Sequence, residues 1–300
     1  MRLIAVVGAT GTGKTERSLE IADAIIGLGE TAEIVNCDAM QLYRGMDIGT
    51  AKASVAERRG HPHHLLDVLE PWQDAAVAQY RQAALAALEA IEARGAVPIL
   101  VGGSGLYASS VLYDFAFPAT DAQLRAQLEA ELVQLGATEM HGRLLRVDPA
   151  AAAAIGPHNG RRLVRALEAV TLTGEPFRVG LPPEAALLRP TIIQHQRVER
   201  AELVGRLDRR VERMWSLGIV EEARRLRAAG IERGTTAQQA IGYRQALDQL
   251  DGTVTEAEAI AQTQALTRRY ARRQVSWFQR YPAAPAADAA AIAHQALDTL

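Results

Sequence analysis

Gly8-Ala9-Thr10-Gly11-Thr12-Gly13-Lys14-Thr15 fits the pattern G-x-x-x-x-G-K-[ST] at every fixed position. The apolar run before it, Leu3-Ile4-Ala5-Val6-Val7, is long enough for one buried parallel strand. After it, Leu19, Ala22, Ile25 and Ile26 recur at helical spacing and predict a helix with one apolar face. Strand, glycine loop and helix in that order turn a pattern match into a phosphate site. The glycines let the backbone wrap an anion, while successive N–H groups and the helix N-terminus supply donors and a positive dipole. Lys14 adds a point charge for the terminal phosphates, and the Thr15 hydroxyl is placed to ligate Mg²⁺. A ligand-free glycine-rich turn is the competing reading, and the strand–loop–helix context decides against it. A diphosphate-bearing ligand is expected.

Three hundred residues exceed one average domain but fit an α/β domain carrying an insertion. An apolar content of 48% provides for a sizeable core, and few aromatics with many alanines favour helices over an all-β architecture. Cys37 is the single cysteine, which excludes a disulfide framework and a Cys-rich zinc module. At the end of an apolar strand it reads as a buried, inert thiol. No run approaches the ~20 apolar residues of a membrane span, and the chain enters a core strand at once, leaving no room for a signal peptide. A cytoplasmic protein is expected. The formal net charge of −2 does not advertise nucleic-acid binding, but the arginines are unevenly spread. They gather at Arg161, Arg162 and Arg165, between Arg197 and Arg213, and from Arg268 to Arg280.

Along the chain, Glu33-Ile34-Val35-Asn36-Cys37 predicts a second strand ending at Asp38. The polar, glycine-punctuated stretch from Ala39 to Lys52 is too long to be only a connection, and long ordered loops tend to be functional. In His61-Pro62-His63-His64, the proline and the spacing match no helical pair of metal ligands, so no metal is expected there. Asp74 predicts an N-cap for a helix from Ala75 to about Arg94, closed by Gly95. Val97-Pro98-Ile99-Leu100-Val101 predicts a third strand, followed by Gly102-Gly103-Ser104-Gly105. In a P-loop ATPase a buried strand would usually end in an acidic residue that helps to hold Mg²⁺. Here that strand ends in glycines and a hydroxyl, while Asp38 ends the other, a layout that suits a small-molecule transferase better than an ATP-driven motor. From Pro118 the pattern changes to successive helices over 121–136, 138–147, 148–155 and 159–173, without strands. Pro182-Pro183 and Pro190 mark the way out, Thr191-Ile192-Ile193 predicts a returning strand, and 199–281 reads as helical. Pro282 to Leu300 is alanine-rich, either a terminal helix or a frayed tail. The expected fold is α/β: a P-loop NTPase-like parallel sheet flanked by helices, over 1–117 and 190–300, with an inserted all-helical subdomain at 118–189.

Several groups are candidates for chemistry. Asp38 faces the same sheet edge as the glycine loop, where ligands of open α/β sheets bind. A carboxylate there takes a proton from an acceptor nucleophile, holds Mg²⁺ through water, or caps a loop. Ser104 either hydrogen-bonds a phosphate or N-caps the helix that begins at Gly105. Arg206 and Arg210, four apart on one helix face, suit a clamp on diphosphate oxygens or a solvated basic face. Arg161, Arg162 and Arg165 carry the same ambiguity, and a phosphodiester backbone would suit them. In the basic stretch Thr267–Phe278 and just beyond it, Leu266, Tyr270, Trp277 and Tyr281 are expected to pack inward.

Taken together, these segments resemble the tRNA dimethylallyltransferase (isopentenyl-tRNA transferase) family along nearly the whole chain. The resemblance rests on Gly8–Thr15 and on Asp38-Ala39-Met40-Gln41-Leu42-Tyr43-Arg44-Gly45-Met46-Asp47-Ile48-Gly49-Thr50-Ala51-Lys52, its most specific part. Leu100–Tyr107, Arg161–Glu168, Gln239-Ala240-Ile241-Gly242-Tyr243-Arg244 and the basic stretch Arg268–Trp277 complete it, in the same order and spacing. The resemblance implies transfer of a dimethylallyl group from dimethylallyl diphosphate to N6 of the adenosine immediately 3′ of a tRNA anticodon. The tRNAs implied are those reading codons that begin with U. It also implies that the P-loop holds the prenyl diphosphate with Mg²⁺, that Asp38 is the general base, and that Arg210 binds diphosphate. Ser104 stands where the family usually has Thr and keeps the hydroxyl. By the same resemblance Asp38, Ala39, Met40, Gln41, Ser104, Arg125, Arg161, Arg162, Leu163, Val164, Arg165 and Gln239–Arg244 contact tRNA. The partners implied are the tRNA anticodon stem-loop and dimethylallyl diphosphate, with no membrane and a monomeric enzyme. Three rivals remain: an adenylate isopentenyltransferase, a P-loop small-molecule kinase, and a non-enzymatic RNA-binding module. The inserted helices and many arginines speak against the first, the basic C-terminal helix against the second, and intact Lys14, Thr15 and Asp38 against the third.

Overall fold

The computed structural model describes residues 2–114, 117–177, 186–281 and 288–298. Five strands, β1 (Leu3–Gly8), β2 (Ala32–Asn36), the two-residue β3 (His63–His64), β4 (Val97–Gly102) and β5 (Thr191–Gln196), form one sheet. Their order is β3-β2-β4-β1-β5, and every neighbouring pair is parallel. The helices are α1 (Lys14–Gly27), α2 (Val77–Ala93), α3 (Gly105–Leu112), α4 (Ala122–Val147), α5 (Pro149–Ile155), α6 (Gly160–Thr173), α7 (Arg200–Ser216), α8 (Ile219–Ala228), α9 (Tyr243–Leu250), α10 (Glu256–Phe278) and α11 (Ala289–Leu297). None of them is long and apolar enough to cross a membrane.

β1 and β4 are apolar and buried at every residue, as strands covered on both faces must be. Because β4 pairs between β2 and β1, the ends of three consecutive strands meet on one sheet edge. That edge carries the glycine loop after β1, Asp38 after β2 and Ser104 after β4, the crevice where parallel sheets bind ligands. Under the sheet, Leu19, Ile21, Ala22 and Ile25 of α1 pack with Ile4, Ile34, Ile99 and Ile192, and with Ile292, Ala293 and Ala296 of α11. A second cluster joins Tyr43 and Met46, in the loop after β2, to Val211, Trp215, Ile219 and Tyr243 of α7–α9. This cluster anchors the long loop on the C-terminal helices.

The chain divides into two compact units, Met1–Tyr113 with Leu187–Leu300, and Asp114–Ala186. In the second, α4, α5 and α6 bury Leu128, Met140, Leu144, Ala152, Leu163 and Leu167 against one another. The first of these helices is interrupted at Gly136, whose φ of 78° no helix accommodates. Asp148 caps α5 through the Ala151 amide (2.9 Å) and also accepts the Phe177 amide (2.7 Å).

Three local expectations are corrected. Ile26 is exposed, and Ile21 takes its place on the buried face of α1. Asp74 caps no helix: α2 starts later, and the carboxylate accepts the amides and hydroxyls of Thr235 and Thr236 instead. The inward face of α10 is Thr263, Ala271, Gln274 and Phe278, a quarter-turn from the expected one, so Leu266, Tyr270 and Trp277 are only half-buried, while Tyr281 is buried. Of the two readings of the alanine-rich C-terminus, the terminal helix is the one observed: α11, capped by Asp288 through the Ala291 amide. Pro182, Pro183 and Pro282 lie outside the described residues.

Gly102 is a tight point of the sheet edge: a Cβ there would lie 2.5 Å from the Cys37 carbonyl carbon and 2.6 Å from its Sγ. Gly102→Ala is therefore expected to lower stability by about 1–3 kcal/mol, measured as the midpoint of denaturant unfolding. An unchanged midpoint would show that β2 and β4 can separate there without loss.

Candidate active site

The glycine loop is built by close approach. Gly8 has φ of 147°, and a Cβ on it would stand 2.4 Å from the Gln196 carbonyl oxygen of β5. Gly11, with φ of 81°, lies against the Leu207 side chain of α7. Both need glycine, for room and for conformation. Thr12 Oγ1 donates to the Ala9 carbonyl (2.8 Å) and closes the loop on itself, and Gly13 leads directly into α1.

Thr10 is held from two sides. Its amide donates to Gln274 Oε1 of α10 (2.9 Å), and its hydroxyl accepts from Arg210 Nη1 of α7 (2.9 Å). Arg210 Nη2 donates to the Thr50 carbonyl (3.1 Å), while its Nε is buried without a partner among the described residues. Lys14 Nζ donates to the Ala9 carbonyl (2.7 Å). Burial pulls the Lys14 ammonium down to about 8; the nearby Asp38 carboxylate opposes this and the Arg210 guanidinium adds to it. Burial also lowers the Arg210 guanidinium, again opposed by Asp38. Two cations and one carboxylate thus share a poorly solvated space, with a donor left over. An anion is what such a space lacks.

Asp38 follows β2 and caps a single 3-10 turn, Ala39–Leu42, by accepting the Met40 amide at Oδ1 (3.0 Å). Its own amide donates to Asn36 Oδ1 (2.9 Å). Ser104 Oγ accepts the Ala39 amide (3.0 Å) and makes no cap bond to α3, which corrects the capping alternative. The hydroxyl ties the end of β4 to the turn that carries Asp38. Tyr107 and Tyr270 stand half-buried close by, each pushed up to about 12 chiefly by burial and in part by the Asp38 charge. Cys37 is buried and its thiol raised, so it remains an inert thiol.

The expected pairing of Arg206 with Arg210 does not occur. Arg206 points to the surface and pairs with Glu202, one turn earlier, because only Arg210 lies over the loop. Thr15 is exposed at the start of α1, where its hydroxyl is open to a ligand-borne cation. No group of three or more His, Cys, Asp or Glu suited to a metal occurs among the described residues. His61 bonds Asp23 and His64 bonds Glu33.

The remaining residues singled out by resemblance divide by exposure. Met40 and Gln41 are half-buried, and Gln41 Nε2 donates to the Thr50 carbonyl (3.2 Å). Gln239 and Arg244 are exposed, Ile241 is half-buried, and Ala240, Gly242 and Tyr243 are buried. Tyr243 serves the loop from within: its hydroxyl donates to Glu222 Oε1 (2.6 Å) and accepts the Gly49 amide (3.1 Å). Glu222, buried and not foreseen, also accepts the amides of Asp47 and Ile48. In the second unit Arg161 and Arg162 are exposed, whereas Leu163 and Val164 are core. Arg125 and Arg165 both bond the fully buried Glu168, and Arg165 further donates to the Pro118 and Ala119 carbonyls. Gln274 carried a faint signal, a polar residue between Ala271 and Phe278 on the buried stripe of the helix. Glu222, beside Glu221 on a charged helix, carried none.

Residues 41–281 match the family described as IPP transferase. A tRNA dimethylallyltransferase of Clavibacter sepedonicus is 56% identical over 96% of this chain and 93% of its own length. The crystal structure of a full-length tRNA isopentenylpyrophosphate transferase from Bacillus halodurans is 40% identical, covers 93% of this chain and 86% of its own, and superposes with a TM-score of 0.63. A eukaryotic dimethylallyltransferase solved acting on tRNA is 25% identical, over 93% of this chain and 70% of its own, with a TM-score of 0.73. The identities and the coverage make this chain a member of the IPP transferase family.

Proposed function

We propose that the protein is a tRNA dimethylallyltransferase: it moves the dimethylallyl group of dimethylallyl diphosphate to N6 of the adenosine 3′ of the anticodon, in tRNAs reading codons that begin with U. The observation that carries the chemistry is the convergence of Lys14 and Arg210, the latter with a buried Nε that has no partner among the described residues, beside Asp38. Allylic transfer breaks a C–O bond and sends its electron pair to the diphosphate. The loop amides, Lys14 and Arg210 hold the charge that develops there. The exocyclic amine forms the new C–N bond and gives its proton to Asp38. Ser104, bonded to Ala39, keeps the Asp38 turn in register with the loop. Mg²⁺ fits the exposed Thr15 hydroxyl together with the ligand's diphosphate oxygens, since this ion takes few protein ligands; when bound it would neutralise leaving-group charge.

The base sits in a stacked loop and must be drawn out of it, at a few kcal/mol of unstacking. Contacts to phosphates around it would offset that, and exposed Arg161, Arg162, Gln239 and Arg244 are the members of the inferred RNA-binding segments able to make them. The domain roles proposed are catalysis for 1–117 with 190–300 and tRNA binding for 118–189. One chain carries every group in this scheme, so a monomer is the proposed active form, and the cytoplasm, which supplies tRNA, is its proposed location.

Incubation with Mg²⁺, labelled dimethylallyl diphosphate and either unmodified tRNA or AMP, followed by nucleoside mass analysis, tests the reading. Prenylated adenosine from tRNA alone is expected; product from AMP alone would make it an adenylate isopentenyltransferase. Asp38→Ala is expected to reduce transfer by roughly 10²–10⁴-fold while prenyl-diphosphate binding persists. Near-full turnover would remove Asp38 from the role of base. Arg210→Ala should weaken diphosphate binding by about ten- to a hundredfold, read by calorimetry, and unchanged affinity would exclude it as a donor to the ligand.

A further inference from the structure

Gln274 is buried near the C-terminal end of α10, and besides a hydrogen bond with Tyr270, one turn earlier on the same helix, it reaches two loops of the sheet edge. Its Oε1 accepts the Thr10 amide (2.9 Å) and its Nε2 donates to the Gly103 carbonyl (2.7 Å). One amide therefore bridges the loop after β1 and the loop after β4, the two neighbouring strand ends that carry Lys14 and Ser104. The space for it is made by Gly103, on which a Cβ would stand 2.7 Å from Gln274 Nε2 and 3.3 Å from Lys14 Nζ. Thr10 is thereby consumed inside the protein: its N–H goes to α10 and its hydroxyl to Arg210 on α7.

We propose that Gln274 is a positioning residue for the diphosphate site, an uncharged donor–acceptor strut that sets the glycine loop against the Ser104 loop. The inference rests on the P-loop binding diphosphate. Glutamine alone among residues of this length supplies an acceptor toward Thr10 and a donor toward Gly103 without charge. A glutamate keeps the acceptor but faces the Gly103 carbonyl with a second oxygen, which is tolerated only while that oxygen carries a proton.

The test is calorimetric binding of inorganic diphosphate to the whole protein at pH 5, 6.5 and 8, comparing wild type with Gln274→Glu and Gln274→Met. Each variant's affinity is taken relative to wild type at the same pH, which removes the titration of the ligand; Lys14 and Tyr270 face residue 274, and Gln274→Met, which adds no charge beside them, is the control for their coupling to the glutamate. Gln274→Glu is expected within about threefold of wild type at pH 5 and at least tenfold weaker at pH 8. Gln274→Met, without either bond, should be about tenfold weaker at every pH. A Gln274→Glu ratio that does not change with pH, or a Gln274→Met affinity equal to wild type, would overturn the proposal. If Gln274→Glu does not fold, the methionine variant decides alone. Absence of diphosphate binding by the wild type would instead overturn the diphosphate reading, and this inference with it.

Discussion

An ammonium and a guanidinium that share one poorly solvated space lose hydration, and Lys14 and Arg210 do so, the Arg210 charge adding to the cost at Lys14. Asp38 offsets part of that, but one carboxylate against two cations leaves an excess of positive charge at the sheet edge. A lysine drawn from 10.5 to about 8 reports a penalty of roughly 3 kcal/mol on its charged form. A bound anion that restored the ordinary value would recover that much in affinity. On the proposed function a diphosphate would complete this under-neutralised state, and the same charges would stabilise the leaving group as the allylic bond breaks.

Holding that state requires contacts from far along the chain. Arg210 reaches Thr10 from 200 residues away and Gln274 from 264. The crossover of the sheet, which pairs β4 between β1 and β2, brings Ser104 to the Asp38 turn. Glu222 and Tyr243 then pin the backbone of Asp47–Gly49, and the next residue, Thr50, offers its carbonyl to Arg210. Glu222, Tyr243 and Gln274 thus seat the site's loops without contributing chemistry of their own. A compact helical core around Tyr43, Trp215 and Tyr243 keeps these elements fixed.

Local pattern sufficed wherever structure is local. The glycine loop, its flanking strand and helix, the strands at β2, β4 and β5 and the run of helices after Pro118 follow from spacing and turn residues that neighbours in sequence enforce, whereas the two-residue β3 carried no such pattern. Asp74 shows the limit: an acidic residue before a helical stretch satisfies the capping pattern, yet Thr235 and Thr236 offer it four donors and win. Arg206 shows it again, since spacing places two arginines on one face but only the three-dimensional path of α7 decides which one overlies the loop. The segment from Gln239 to Arg244 looked like one recognition motif and is two things, an exposed rim and a buried tyrosine that braces the active-site loop. Glu222 was illegible because its meaning is a set of amides some 174 residues away.

The most direct test of the under-neutralised site is the titration of the Lys14 ammonium, followed by NMR of the labelled side chain without and with saturating diphosphate. Without ligand the transition should centre near 8, and with diphosphate it should move upward by a unit or more, towards the ordinary lysine value of 10.5. A Lys14 that already titrates like a solvent-exposed lysine, or one that diphosphate leaves unmoved, would contradict the account.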